Sequence, residues 1–231
     1  MPTAMLELAS QGDNPDEPGL QFRIAFMHLS QAVAANSEKD VQQYAEVATG
    51  IAAKQKWNSM QAAVKMLLGK WHFDNQRYAE ALETYGEARA ITENADEAID
   101  PACASLALQC DLMIGTVYDT AGQPTDAAEE YEFAANTAAM QQDHYYVMES
   151  QRLAGDCYAK AKDYPAAWES YQAAVAAAKE VKEDIRPNTP LPLVGKALLH
   201  IAPKVKQKAE IPFIRQQMET YLGPDWEHKT F

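Results

Sequence analysis

The sequence predicts an all-α protein built from stacked helix-turn-helix pairs. Small residues and tyrosines recur at fixed offsets, apolar residues elsewhere follow a 3.6-residue period, and no alternating run bounded by turn residues marks a strand. The ruler is set by the stretch from Leu68 to Ala88, in which Gly69 is followed by Ala81, Tyr85 and Ala88. The same offsets carry Gly115 to Ala127, Tyr131 and Ala134, and Gly155 to Ala167, Tyr171 and Ala174. Gly or Ala at these places lets two antiparallel helices approach closely, and the rings are expected to fill space between repeats.

Three copies in register, with Leu68, Ile114 or Ala154 before the glycine, resemble the tetratricopeptide repeat (TPR), a helix-turn-helix unit of about 34 residues. The resemblance implies an α-solenoid of TPR-like repeats wound as a right-handed superhelix. The glycines lie farther apart than that period, as in the elongated repeats of kinesin light chains, LGN-type scaffolds and Rap-type peptide sensors.

In chain order, residues 1–17 read as an N-terminal arm without the basic and apolar regions of a secretory signal. Residues 18–56 read as a degenerate capping helix pair, broken near Asn36-Ser37, with Ser37 able to cap the second helix. The YAEV at Tyr44 echoes the YAEA at Tyr78, which places Ala35 at the anchor and Val47 and Ile51 in the later slots. Residues 57–186 hold the three clear repeats. Their helices are expected at about 57–74, 78–94, 101–121, 125–141, 144–161 and 165–183, with turns at Asn75-Gln76, Gly122-Gln123-Pro124 and Lys162-Asp163-Tyr164. A proline-rich break follows, and residues 194–231 read as C-terminal capping helices and a tail. Gly195 repeats the anchor spacing, and Trp226 and Phe231 in the tail either dock on the last helix or meet a partner.

Composition narrows the function. A net charge of −13 disfavours nucleic acid, whose phosphates select clustered Lys and Arg. The charge is uneven: residues 196–231 hold 6 Lys and Arg against 4 Asp and Glu, a net +2, so the acidity lies before them. No apolar run is long enough for a membrane span. Cys103, Cys110 and Cys157 form no CxxC pair and read as small core thiols of a cytoplasmic protein.

No phosphate loop, HExxH or G-x-S-x-G occurs, and the five histidines lack ligand spacing, so the sequence points to no enzyme, metal or cofactor. Binding remains. In the TPR family the first helix of each repeat lines a concave groove. Carried over, that face holds Ala63, Met66, Lys70, Phe73 and Asp74, then Gln109, Leu112, Thr116 and Asp119, then Glu149, Arg152 and Asp156. Met66 and Phe73 are the expected apolar anchors, and Arg152 the expected cation for an acidic group. The family's clamp for chaperone C-terminal carboxylates needs Lys, Asn and Arg where this chain has Met66 with Lys70, Met113, and Glu149 with Leu153. The implied activity is that of an adaptor for a partner peptide or helix; a peptide-responsive sensor and a bacterial secretion chaperone are the alternatives. A rival surface is the basic end, Lys196, Lys204, Lys206 and Lys208.

Overall fold

The computed structural model describes residues 17–96, 100–181 and 189–228. Among these the regular structure is helical, with no strand: α1 (Pro18–Ala34), α2 (Glu38–Gln55), α3 (Asn58–Asp74), α4 (Tyr78–Glu93), α5 (Ala102–Thr120), α6 (Pro124–Met140), α7 (His144–Lys160), α8 (Tyr164–Ala178), α9 (Leu191–Ile201) and α10 (Ile211–Leu222). Short 3-10 turns at Lys208–Glu210 and Trp226–His228 flank α10. The chain divides into two compact units between Cys110 and Asp111, inside α5.

Helix starts follow local chemistry. Proline stands in the first turn of α1, α6, α8, α9 and α10, where its missing N–H costs nothing. Asp143 and Asp163 cap α7 and α8 by accepting from the amides of Tyr146 and Ala166 at 3.2 and 3.1 Å. Ser37 stands at the N-cap of α2 as expected, but its hydroxyl donates to Asp40 Oδ2 at 2.7 Å and caps no amide.

In the first unit α1 packs on α2, α2 on α3 and α3 on α4. Its apolar cluster runs from Phe22 and Leu29 through Val41, Ala45 and Ala48 to Val64 and Trp71. In the second unit α6, α7, α8, α9 and α10 pack in sequence. Its larger cluster joins Met148, Trp168 and Tyr171 to Leu191, Val194, Leu198, Met218 and Trp226.

The same close contact recurs in each clear repeat. A Cβ added to Gly69, Gly115 or Gly155 would lie 2.7, 2.8 or 2.7 Å from the ring of Tyr85, Tyr131 or Tyr171, its own second helix's tyrosine. The rings therefore press on the glycine of their own repeat, and Tyr131 also shares a cluster with Ala154 and Cys157 of the next one. Glycine is required here for space, since even a methyl group collides.

The turn after each first helix places one residue in the left-handed region: Asn36 (φ 51°), Gln76 (60°), Gly122 (78°) and Lys162 (66°). The last three fall seven residues past their anchors. Counting back from Asn36 gives Leu29, which is completely buried, and its tyrosine slot holds buried Ala45. Leu29 and Ala45 share one cluster, so the bulk has moved from the second helix to the first. The frame expected from YAEV is thereby corrected: Ala35 ends exposed beyond α1, and Val47 is 46% exposed.

The last anchor is closed differently again. A Cβ on Gly195 would meet Trp226 Cζ3 at 2.7 Å and Met218 Cγ at 2.8 Å. Trp226 is 2% exposed, so it docks, while Phe231 lies outside the described residues.

Gly115→Leu and Gly155→Leu should each cost about 1–3 kcal/mol, because the added branch has no room beside the tyrosine. Gly86 in α4 has nothing within 4 Å of its Cβ position. Gly86→Ala should therefore raise stability by about 0.5–1 kcal/mol. Thermal melts of the three variants test the pattern; equal melting temperatures would contradict it.

Candidate functional site

The first-helix residues chosen from the sequence fall on α3, α5 and α7, and none of them is buried. Met66 and Phe73 on α3 are half-buried, while Lys70 and Asp74 are exposed and paired with each other at 2.7 Å. Gln109 is exposed on α5 and donates to Ser105 Oγ at 3.3 Å. These belong to the first unit, where neither Met66 nor Phe73 joins the apolar cluster. The Phe73 ring lies 6.0 Å from that of Tyr78 across the α3–α4 turn.

In the second unit the corresponding residues are used by the fold. Leu112 packs against the cluster of Ala127, Tyr131 and Ala154. Thr116 donates to the Leu112 carbonyl at 2.8 Å and stands 3.2 Å from the Tyr131 hydroxyl. Asp119 receives both of its oxygens' bonds from Lys160 Nζ, at 2.7 and 2.6 Å. That pair ties the last turn of α5 to the last turn of α7.

Arg152 is the clearest departure from expectation. Its Nε and Nη2 donate to the two oxygens of Glu149 at 2.9 and 2.6 Å, and its Nη1 donates to Asp156 Oδ2 at 2.5 Å. The cation expected to meet an acidic group of a partner thus already meets two carboxylates of its own helix. Its side chain is 13% exposed, and burial disfavouring the charge is outweighed by the two carboxylates, which hold its pKa above the usual value. The signal was present in the sequence: carboxylates three residues before and four after an arginine share its helix face.

The residue after each anchor glycine decides the state of the tyrosine hydroxyl. Tyr171 Oη donates to Asp156 Oδ1 at 2.6 Å, while Tyr131 meets Thr116. Burial first, then the Asp156 charge, pushes the Tyr171 hydroxyl's pKa up; burial pushes that of Tyr131 up to about 12. In the first repeat the position is Lys70, which turns to Asp74. Tyr85 Oη is left buried with no hydrogen-bond partner among the described residues, on a side chain 1% exposed.

The first two repeats of the first unit are joined at their turns. Trp71 Nε1 donates to Asn36 Oδ1 at 2.8 Å, and the amides of Asn36 and Asn75 exchange bonds of 3.0 and 2.9 Å. Arg77 pairs with Glu38 at 3.0 Å and lies 4.9 Å from the Trp71 ring. These polar side chains set the register of α1 and α2 on α3; their interactions were not anticipated from the sequence.

Among the described residues no group of three His, Cys, Asp or Glu side chains has the arrangement of a metal site. No helix described is long and apolar enough to cross a membrane.

No protein-family model and no curated protein matches the chain. Among solved structures it is similar to the apo form of RapI, at 12% identity and a TM-score of 0.70, over 95% of this chain and 58% of that one. Aspartyl phosphate phosphatase F from Bacillus subtilis is similar at 15% identity and 0.61, over 88% and 51%. A putative kinesin light chain from Podosopora anserina with nearly identical TPR-like repeats gives 17% and 0.54, over 89% and 96%. The chain thus has the fold of TPR-like helical-repeat proteins, and it spans a little over half the length of the first two.

Tyr85→Phe should leave stability unchanged or raise it, because it removes a buried hydroxyl that makes no bond, whose burial costs about 1–3 kcal/mol. Tyr171→Phe should lower stability by about 1–3 kcal/mol through loss of a bond to a charged group. Urea unfolding of both variants measures the contrast, and equal losses would contradict it.

Proposed function

We propose that the protein is a non-enzymatic, cytoplasmic adaptor that holds a peptide or helix of a protein partner on the first-helix faces of its repeats. The observation that carries this reading is the pair Met66 and Phe73, two large apolar side chains on one helix face, half-buried and outside the core cluster. Residues seven apart on a helix project from the same side, so an amphipathic segment could seat one apolar residue against each. Lys70 and Asp74 stand on the same helix as polar neighbours for the flanks of such a segment. Gln109 stays exposed in the same unit, while the second unit's first-helix residues Leu112, Thr116, Asp119, Glu149, Arg152 and Asp156 are mostly engaged already and form a face of their own.

The likeness to RapI and to an aspartyl phosphate phosphatase is one of fold, and phosphatase action is not carried over. Support for the cytoplasmic setting comes from the three buried cysteines, which remain thiols.

The reading is tested by selecting peptides from a displayed library against the full chain and measuring their affinity by calorimetry. Met66→Ala and Phe73→Ala should each weaken a selected peptide by about 2 kcal/mol, roughly thirtyfold, with little change in melting temperature. Peptides that bind both variants as tightly as the parent would sink the proposal.

A further inference from the structure

The second unit carries an open-mouthed pocket of about 170 Å³ between α8, α9 and α10. Its floor is apolar: Trp168 and Val175 from α8, Leu198 from α9 and Ile214 from α10. At its lip stands Phe213, a ring 60% exposed to solvent. A dry cavity of about 150 Å³ holds one benzene ring, so this pocket has room for a phenyl group. A single exposed phenylalanine needs no explanation, but one at the lip of a ring-sized pocket has the form of a knob beside a hole.

The polar rim is self-complementary as well. Lys179, the C-cap residue of α8, already has an interaction within its own chain, and Glu210 comes from the turn before α10. Gln172 and Gln217 add amides that both donate and accept. Between Gln172 and Lys179 the exposed residues of α8 are Ala173 and Ala176, small enough for close approach of another helix. A two-fold axis would bring the Lys179 of each copy to the Glu210 of the other, and each Phe213 to the other's pocket.

Charge favours this face for self-association. A chain of net charge −13 repels its own copies, and least so around residues 196–228, where Lys196, Lys204, Lys206, Lys208 and Arg215 stand against Glu210, Glu219, Asp225 and Glu227, a net +1.

We propose that the α8–α10 face is a self-association surface, and that its occupant is a second copy of this chain, docked isologously with Phe213 as the knob. This surface is separate from the first-helix face of the adaptor reading, so either can fail without the other.

The test is sedimentation velocity of the full chain from micromolar to high-micromolar concentration. The wild type should show a reversible monomer–dimer equilibrium. Phe213→Glu, at an exposed position, should leave the helical signal and melting temperature unchanged and weaken dimerisation by at least about tenfold, the scale of an interface anchor. Lys179→Glu and Glu210→Lys should each weaken it too, by facing like charges across the axis. Mixing those two variants should restore dimers, because the heterodimer regains both opposite-charge pairs, and the double variant should also dimerise.

A wild type that stays monomeric at every concentration overturns the proposal. So does a dimer indifferent to Phe213→Glu, or a mixture with no recovery. A monomer carrying a foreign peptide in native mass spectra, lost in Phe213→Glu, assigns the pocket to another protein and equally overturns it.

Discussion

The contact between an anchor glycine and the aromatic ring facing it is the constraint on which the rest depends. In the three clear repeats the ring stands 2.7–2.8 Å from where a Cβ would be, too close for any side chain on the first helix at that point. The ends of the chain meet the same need by other means. In the opening pair Leu29 supplies the bulk and Ala45 the space. In the closing pair Gly195 again supplies the space, and Trp226 and Met218 supply the bulk. A steric sum is therefore kept while its two contributors change places, which is how cores tolerate substitution when volume is conserved.

Where the ring ends, chemistry begins to differ between repeats. The hydroxyl reaches the residue after the glycine, and Lys70, Thr116 and Asp156 treat it in three ways. Asp156 accepts from it and from Arg152 together, which builds Tyr171, Asp156, Arg152 and Glu149 into one connected network. Such a network fixes side chains on the first-helix face of α7 and uses donors a partner could otherwise have met. The face of α3 lacks it, and there the two apolar side chains outside the core stand. The position three residues before the anchor glycine thus holds the networked Arg152 in α7 and, in α3, half-buried Met66 outside the core cluster.

Much of the fold was legible because glycine and tyrosine are informative residues. Their spacing named three helix pairs, and the turn residues marked most boundaries within one or two positions. The opening pair was misread because its Leu29 and Ala45 look ordinary, while a tyrosine in YAEV looked like a signature. Tyr44 is one residue short of the slot at Ala45, and the left-handed Asn36 fixes the true frame. For the site, the sequence showed which side chains share a face but not which were already engaged. Arg152 was decipherable from its neighbours Glu149 and Asp156, whereas the Lys160–Asp119 pair joins residues 41 apart and needs the packed helices. Phe213 carries a weak signal: it sits beside buried Ile214 and off the face made by Ile214, Met218 and Leu222.

The role of Trp226 changes how the C-terminal end can be interpreted. It is buried in the cluster that also holds Met148, Trp168 and Tyr171. Arg215 on α10 pairs with Glu227 beside it, adding a polar latch to the apolar one. Removing the tail would open the cavity facing Gly195 and remove apolar partners from α8 and α10, at a cost that grows with the space left behind. A shortened chain that lost a partner could have lost it through unfolding of this end, whichever surface the partner used. Lys204 illustrates the same point for the basic end: its ammonium lies 4.2 Å from the Tyr164 ring and 3.0 Å from His200, so part of that charge serves internal contacts. Binding at this end is therefore separated from folding only by changes at exposed positions such as Phe213, where the side chain leaves the core untouched.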